Sequence, residues 1–273
     1  MPGVFDGPSQ GRVFAVWTVL TGGQAVIKPL IIGLLASAPI YPWLCARLIR
    51  NRAIVLMYHE ICDDAHDIDA WTVLRSSKFL RQIEFLRKSH EIVSLETALR
   101  RVYSEQPLER PIATLTFDDG YSGMAEVLMP ILEREQIPAT IYLATGHIES
   151  QRLYWYDRLI NALQVARALD LDLRREGLST YRIEPAAGTS VWPQLQRLLD
   201  DLKPIEPGRR ETLVDHVVQL ASDVPKLEFR CVRPLTIDQV RALGASPVVT
   251  IGAHTHGHEV LTRISEQDAQ TSI

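Results

Sequence analysis

The sequence is poor in the features that mark several protein classes. Its three cysteines, Cys45, Cys62 and Cys231, show no CxxC or zinc-finger spacing, so they indicate neither a disulfide framework nor a structural zinc site. The net charge is −4 and the basic residues are scattered, which argues against nucleic-acid binding. At 273 residues, with 46% hydrophobic residues, the chain is long enough for one large domain or two small ones.

The chain also lacks an uninterrupted apolar run of about 20 residues, the length that a membrane-spanning helix requires. Residues 13–27 carry no charge, but Lys28 ends this run, and two prolines break the second uncharged run at residues 29–46.

The N-terminal segment 1–52 therefore has three interpretations: a membrane anchor or interfacial helix, a helix packed on the domain, or an export signal. The export signal fits least well, because Arg12 is the only positively charged residue before the apolar run and a proline follows the candidate cleavage site. We expect a cytoplasmic or membrane-associated protein rather than a secreted one, with any membrane association made through residues 13–46.

From residue 53 onward, short apolar runs alternate with amphipathic stretches. This alternation predicts an α/β fold with a parallel, barrel-like sheet. The predicted strands are 53–58, 91–95, 111–117, 139–143 and 248–252, and the predicted helices are 77–88 (with Ser76 or Ser77 as N-cap), 96–103 and 123–135.

The rhythm changes between about residues 153 and 235. Three stretches, 157–169, 191–202 and 209–221, have helical spacing, and no strong strand signal appears. We predict a helical insertion there and assign it no chemistry. Three of its aromatic residues could line a sugar-binding surface: Trp155, Tyr156 and Trp192. Aromatic residues in helices more often belong to the core, however.

Two adjacent carboxylates follow the third predicted strand, in the run Thr116-Phe117-Asp118-Asp119-Gly120. Neighbouring side chains at a strand end leave on opposite sides, so one carboxylate can bind a metal while the other accepts a proton. Gly120 permits a sharp turn, and strand ends at the mouth of a β/α barrel are where catalytic residues gather. An Asp-Asp-Gly run alone is also a common turn.

Three histidines, His254, His256 and His258, alternate just after the last predicted strand. Residues four apart lie about 6 Å apart on a helical turn but about 13 Å apart in an extended strand. If His254 and His258 bind one ion, the backbone must curl there; otherwise His256 pairs with one neighbour. Two imidazoles and one carboxylate form the usual protein shell of catalytic zinc. The sequence therefore predicts a hydrolytic metal site, with the second carboxylate as general base.

The run 116–121 and the histidine motif, followed by Leu261, resemble the first two motifs of the polysaccharide deacetylases with NodB homology, carbohydrate esterase family 4. The resemblance extends over residues 53–273 apart from the insertion. It implies a distorted (β/α) barrel and metal-assisted removal of acetyl groups from N-acetylated sugars, less often from O-acetylated ones. The implied partner is a polysaccharide, its precursor, or an oligosaccharide.

The resemblance also implies residue roles. Asp118 corresponds to the general base, and His256 does not occupy a ligand position. A backbone N–H near Tyr121 corresponds to a donor that stabilises the oxyanion. The implied ligands of a divalent metal, zinc with cobalt or nickel as alternatives, are Asp119, His254 and His258.

The first predicted strand ends in Leu56-Met57-Tyr58-His59. This run resembles a strand of the permuted branch of the family, which includes deacetylases of poly-N-acetylglucosamine. The resemblance implies that His59 protonates the leaving amine; the alternative is a histidine that only caps the strand.

One departure from the family concerns the end of the chain. A segment of the type Arg/Tyr-Pro-Tyr-Gly should follow the histidine motif, but the sequence ends at Ile273, 15 residues beyond His258. We therefore expect a barrel that is incomplete at its C-terminus. Two alternatives to an N-deacetylase follow: a catalytically impaired carbohydrate- or membrane-associated module, and an O-acetyl esterase.

Overall fold

The computed structural model describes residues 15–18, 53–65, 70–104, 108–164, 168–184, 191–221 and 232–273. The strands are β1 (Ala15–Thr18), β2 (Ala53–Tyr58), β3 (Glu60–Cys62), β4 (Val73–Arg75), β5 (Glu91–Ile92), β6 (Ile112–Phe117), β7 (Ala139–Leu143), β8 (Leu169–Asp172), β9 (Thr180–Ile183) and β10 (Val249–Ala253). The helices are α1 (Ser76–Ser89), α2 (Leu95–Tyr103), α3 (Met129–Glu135), α4 (Thr145–Ser150), α5 (Trp155–Gln164), α6 (Trp192–Leu202), α7 (Pro207–Ala221), α8 (Ile237–Ala245) and α9 (Glu266–Ser272).

The main sheet is parallel. Its strand order is β1-β2-β6-β7-β10, and β5 pairs with the first residues of β6. The predicted α/β class with a parallel sheet is thus confirmed. In the part of the chain that the structure describes, no pairing joins β10 back to β1, so the closed barrel stays a prediction.

Apolar periodicity explains how the sheet is covered. Every residue of β6 is buried, as expected for a central parallel strand with both faces covered. Helix α1 buries Phe79, Ile83 and Leu86, which lie on one helical face at the spacing that the sequence indicates. Phe79 packs edge-on against Tyr58 and Phe117, directly beneath the carboxyl ends of β2 and β6.

Two predicted helix starts need correction. Helix α1 has Arg75 at its N-cap and no side-chain cap of its own, because Asp64 accepts the hydrogen bond from the Ser77 N–H instead. The strand predicted for 91–95 ends at Ile92, because the Ser94 side chain accepts from the Thr97 N–H and caps α2. A local side-chain cap therefore ends the extended segment earlier than its apolar residues suggest.

The helix predicted over 123–135 consists of two parts. A π-helical segment, Met124–Leu128, precedes α3, and the Met129 N–H donates to the Met124 carbonyl five residues earlier. Pro130 lies in the first turn of α3 and has no N–H with which to continue an α-helical ladder. The wider turn is therefore formed where the ordinary helical hydrogen bond is unavailable.

The insertion is mainly helical, as predicted, but it also contains a β-hairpin that the sequence analysis missed. Strands β8 and β9 pair antiparallel, with Leu171 opposite Tyr181. Leu171, Tyr181 and Ile183 are buried between exposed polar neighbours, which is the alternation of a half-buried hairpin. The predicted helix 157–169 was therefore too long, since Leu169 belongs to β8.

Most of the N-terminal segment lies outside the described residues, as do Cys45 and Cys231. Its four described residues, 15–18, form β1 parallel to β2 rather than part of a helix. Among the described helices, none is long and apolar enough to cross a bilayer. The predicted membrane association through residues 13–46 stays a prediction.

Candidate metal centre

The parallel register brings the motif residues to one edge of the sheet. Tyr58 pairs with Phe117, which pairs with Ile141 in β7, and Ala253 pairs with Leu143. The residues that directly follow β2, β6 and β10 therefore meet at the carboxyl ends of neighbouring strands, where α/β proteins place their ligand sites. These residues are His59, Asp118 and His254.

The turn after β6 places two carboxylates below the surface. The Asp118 N–H donates to the Tyr58 carbonyl at 2.9 Å, which extends the pairing of β2 and β6 by one residue. Asp119 and Gly120 then adopt left-handed conformations, with φ of 78° and 77°. A β-carbon on Gly120 would lie 3.0 Å from Leu143 Cδ2, so this position has both the conformation and the space that require glycine.

The histidine motif curls, as binding of one ion by His254 and His258 would require. Thr255 and His258 have φ of 63° and 58°, and the rings of His254 and His258 lie 5.1 Å apart. Their Nε2 atoms lie 3.5 Å and 3.2 Å from Oδ1 of Asp119. The structure therefore brings all three predicted ligands together.

The middle histidine of the motif faces away from this group. His256 Nδ1 lies 3.0 Å from the Thr145 hydroxyl, and the His256 carbonyl accepts from the Gly146 N–H at 2.8 Å. His256 thus anchors the motif to the start of α4, in agreement with its position outside the implied ligand set.

The three groups fit a divalent cation. Oδ1 of Asp119 is buried and accepts no hydrogen bond within the described residues, although two imidazole nitrogens approach it. The ligand atoms of Asp119, His254 and His258 all lie within 4.8 Å of one another. A buried carboxylate oxygen normally has a hydrogen-bond partner, and a cation coordinated among these atoms would bind Oδ1 in place of such a donor.

His59 lies on the other side of the same carboxylate. Its Nε2 is 4.0 Å from Oδ2 of Asp119, and its ring packs edge-on against Trp71 at 5.0 Å. Burial lowers the pKa of His59, although the negative charge of Asp119 opposes the shift. The structure thus places His59 beside the cluster and orients its ring, whereas Trp71 gave no signal in the sequence.

The paired carboxylates have different electrostatic environments. Burial, together with the negative charge of Asp119, raises the pKa of Asp118 to about 7. Burial alone would also raise the pKa of Asp119, but the surrounding imidazoles, His258 foremost, lower it below its usual range. Two adjacent carboxylates with divergent pKa values are suited to two different roles.

The backbone N–H of Tyr121 points away from residues 233–235, the segment that pairs with the turn. The Gly120 carbonyl accepts from Leu235, and the Ser122 N–H donates to Arg233, both at 2.9 Å. These bonds flank an antiparallel bridge between Tyr121 and Pro234, so the Tyr121 N–H points to the opposite side. Among the described residues, no backbone carbonyl accepts from it, which leaves the donor available.

The insertion contributes two contacts that the sequence analysis did not assign. The Tyr154 hydroxyl donates to the Asp119 carbonyl at 2.8 Å, and the Tyr156 hydroxyl donates to Oδ2 of Asp119 at 3.2 Å. Their rings stack in parallel, 5.3 Å apart. The cluster of aromatics around Asp157 at the start of α5 was the available sequence signal, but helical aromatics are usually core residues.

Comparison with known proteins agrees with the motifs. Residues 105–201 match the family model described as polysaccharide deacetylase, which confirms the resemblance for the part of the chain that contains Asp118 and Asp119. The histidine motif lies outside the matched residues. No curated protein sequence matches the chain.

The chain is also similar to solved deacetylase structures. The de-N-acetylase from Aggregatibacter actinomycetemcomitans is 19% identical with a TM-score of 0.39, and the match covers 75% of this chain and 55% of that one. For IcaB from Ammonifex degensii the values are 15%, 0.41, 79% and 57%. For the Streptococcus pyogenes deacetylase PplD, in complex with acetate, they are 17%, 0.41, 80% and 62%. The chain thus spans less than two thirds of the length of each.

Proposed function

We propose that this chain carries the metal centre of a polysaccharide deacetylase, a hydrolase that removes acetyl groups from the N-acetylated sugars of a polysaccharide or its precursor. The observation that carries the proposal is the convergence of Asp119, His254 and His258 beside Asp118 and His59. The family match over residues 105–201 supports a polysaccharide as the substrate class.

Asp119, His254 and His258 would hold the cation, which we propose to be Zn²⁺, with Co²⁺ or Ni²⁺ as alternatives. Such an ion, when bound, makes a coordinated water acidic and polarises the acyl oxygen of the substrate. Since Asp119 is buried and its pKa is lowered, its carboxylate is ionised at neutral pH and ready to act as a ligand.

Asp118 is proposed as the general base. Asp118 is next to the proposed ligand Asp119 in the chain, but it is Asp119, and not Asp118, that faces His254 and His258. Burial and Asp119 bring its pKa close to neutrality, and a base works best when its pKa lies near the working pH. Asp118 would take the proton from the attacking water.

His59 is proposed as the general acid, which donates a proton to the departing amine nitrogen. Trp71 packs on its ring and Nε2 faces Asp119, so the side chain is held at the site rather than exposed at the strand end. The Tyr121 N–H is proposed to donate to the oxyanion as the acetyl carbon becomes tetrahedral.

The row of parallel strands supports the further proposal that the complete architecture is a distorted (β/α) barrel. In such a barrel the candidate residues lie at the C-terminal mouth, and a sugar chain can reach them from solvent. We propose a polysaccharide or oligosaccharide as the partner of this mouth.

The test is acetate release by the purified chain from N-acetylglucosamine oligomers and, in parallel, from acetylated xylan. We expect acetate from the amino sugars and none from an Asp119→Ala variant. Acetate from the xylan alone would replace the proposal with an O-acetyl esterase. No acetate from either substrate by folded, metal-loaded protein would indicate a catalytically impaired module.

A further inference from the structure

The insertion reaches the metal centre through the start of α5. Tyr156 donates its hydroxyl hydrogen to Oδ2 of Asp119 at 3.2 Å, while Tyr154 donates to the backbone carbonyl of the same residue at 2.8 Å. One proposed ligand is therefore held twice by the insertion, once at its side chain and once at its backbone.

The two oxygens of Asp119 are used differently. Oδ1 faces the Nε2 atoms of His254 and His258 and accepts no hydrogen bond among the described residues. Oδ2 accepts from Tyr156, and His59 Nε2 approaches it only to 4.0 Å. The Tyr156 hydroxyl thus donates its hydrogen bond to Oδ2, the oxygen that faces away from the two proposed histidine ligands.

The Tyr156 ring is held in place before any ligand arrives. It stacks on Tyr154, and Trp155 packs edge-on against it at 5.5 Å. The neighbouring Tyr121 hydroxyl donates to the buried Asp157 at 3.0 Å and lies 3.5 Å from the Tyr156 oxygen. Because Tyr121 has a partner of its own, it does not compete for Oδ2 of Asp119.

We propose that Tyr156 is a positioning residue of the metal centre. Its hydrogen bond holds Oδ2 of Asp119. The carboxylate then presents only its other oxygen, Oδ1, to a divalent cation, on the side where His254 and His258 lie. The inference rests on the proposed function only in that a cation binds these three residues. Partners that orient a metal ligand typically change metal affinity by about 10–100-fold.

The test compares three full-length proteins: wild type, Tyr156→Phe and Tyr181→Phe. Tyr181 is a matched control, because its hydroxyl also donates to a carboxylate of the insertion, Asp201, at 2.7 Å, but that carboxylate does not contact the site. Metal-free protein is titrated with Zn²⁺, the visible spectrum is recorded at saturating Co²⁺, and metal-free melting temperatures show that each variant folds.

We expect Tyr156→Phe to bind Zn²⁺ at least about tenfold more weakly and to change the Co²⁺ spectrum, because Oδ2 becomes free to join the coordination. Tyr181→Phe should match the wild type in both measurements. Unchanged affinity in Tyr156→Phe would overturn the proposal. Weaker affinity with an unchanged Co²⁺ spectrum and a lower melting temperature would also overturn it, since that pattern shows only a loss of stability.

The Zn²⁺ titration, combined with the acetate assay on the same proteins, separates this inference from the proposed function. If the wild type binds Zn²⁺ and releases acetate while Tyr156→Phe binds equally well, the role of Tyr156 fails and the proposed function stands. If the wild type binds no metal, both fail. If it binds metal with the expected difference between variants but releases no acetate, the role of Tyr156 stands and the deacetylase proposal fails.

Discussion

The Nε2 atom of His258 lies 3.2 Å from Oδ1 of Asp119, an oxygen that accepts no hydrogen bond within the described residues. The two residues follow different strands and meet because β6, β7 and β10 are neighbours in a parallel sheet. One divalent cation could therefore bind residues of both sequence motifs. Substitutions of the proposed ligands should then differ in their effects from substitutions of the residues beside them.

Asp119→Ala removes the carboxylate that both histidines face. The affinity of the variant for Zn²⁺ should fall by more than the roughly 100-fold that loss of a ligand's hydrogen-bond partner can cause, because a ligand itself is missing. Metal content after dialysis, measured by elemental analysis, checks this. His256→Ala is the control from the same motif, since His256 contacts Thr145 rather than Asp119. Equal zinc content in Asp119→Ala and the wild type would remove Asp119 from the ligand set.

Asp118→Asn should separate binding from turnover. The amide keeps the size of the side chain but cannot accept a proton from water, so kcat should fall by about 10²–10⁴-fold while bound metal stays at the wild-type level. Steady-state kinetics and metal analysis on one preparation give both quantities. Turnover retained in Asp118→Asn would rule out its role as the base.

His59→Ala should be sensitive to the leaving group. An amine must be protonated to depart, whereas a nitrophenolate departs without a proton. The variant should therefore lose about 10²–10⁴-fold on N-acetylated sugars and less than about tenfold on nitrophenyl acetate. Equal losses on both substrates would show that His59 does not act as the acid.

Gly123 is expected to tolerate no side chain. Its φ of −61° suits any residue, but a β-carbon there would overlap the Ile61 carbonyl and the Glu60 carboxyl group. Gly123→Ala should lower the free energy of unfolding by about 1–3 kcal/mol through overpacking.

Gly244→Ala in α8 is the matched control, because its nearest neighbour would lie 4.0 Å away. It should raise the free energy of unfolding by about 0.5–1 kcal/mol. Denaturant unfolding measures both variants. A Gly123→Ala protein as stable as Gly244→Ala would contradict the close packing of β3 against the segment after the Asp-Asp-Gly turn.

Buried Glu60 should make stability depend on pH. One carboxyl oxygen accepts from the Gly123 N–H at 3.2 Å and the other has no partner among the described residues. Burial raises the pKa of Glu60 well above its usual range. The folded protein thus keeps a proton that the unfolded chain releases at lower pH, so the contribution of Glu60 to stability falls as pH rises through the window between the two pKa values.

Glu60→Gln cannot ionise, so the wild type should lose stability relative to this variant between about pH 5 and pH 8. Unfolding titrations at both pH values measure the difference, and Glu149→Gln at an exposed position controls for the change in net charge. A difference between wild type and Glu60→Gln that is constant with pH would show that Glu60 is already ionised in the folded protein.

Much of this architecture follows from local pattern. The strands at 53–58 and 139–143 have the predicted bounds, because mainly apolar runs of strand length are typical of strands in a parallel sheet. Each motif directly follows such a strand, so the edge of the sheet where they meet could be predicted. The cap from Asp64 on α1 could not be predicted, because it depends on a single side-chain contact that periodicity does not record. The hairpin in the insertion does alternate buried and exposed residues, but each of its strands has only four residues, too few to stand out from the helical spacing around them.

The contribution of the insertion was the main omission. Tyr154 and Tyr156 lie at the start of a helical segment, where aromatic residues more often belong to the core. Only the three-dimensional arrangement shows that both hydroxyls reach Asp119. The meeting of Asp119 with His254 and His258 was implied by the family resemblance, whereas the different contacts of the two Asp119 oxygens were not.

The most direct test is reversible metal dependence of acetate release from N-acetylglucosamine oligomers. Purified protein is treated with a chelator, dialysed, assayed, and assayed again after stoichiometric Zn²⁺ is added. We expect acetate release to stop after chelation and to return with Zn²⁺ in the wild type, but not in Asp119→Ala. Acetate release that persists in chelated protein with no detectable metal would contradict a metal centre formed by Asp119, His254 and His258.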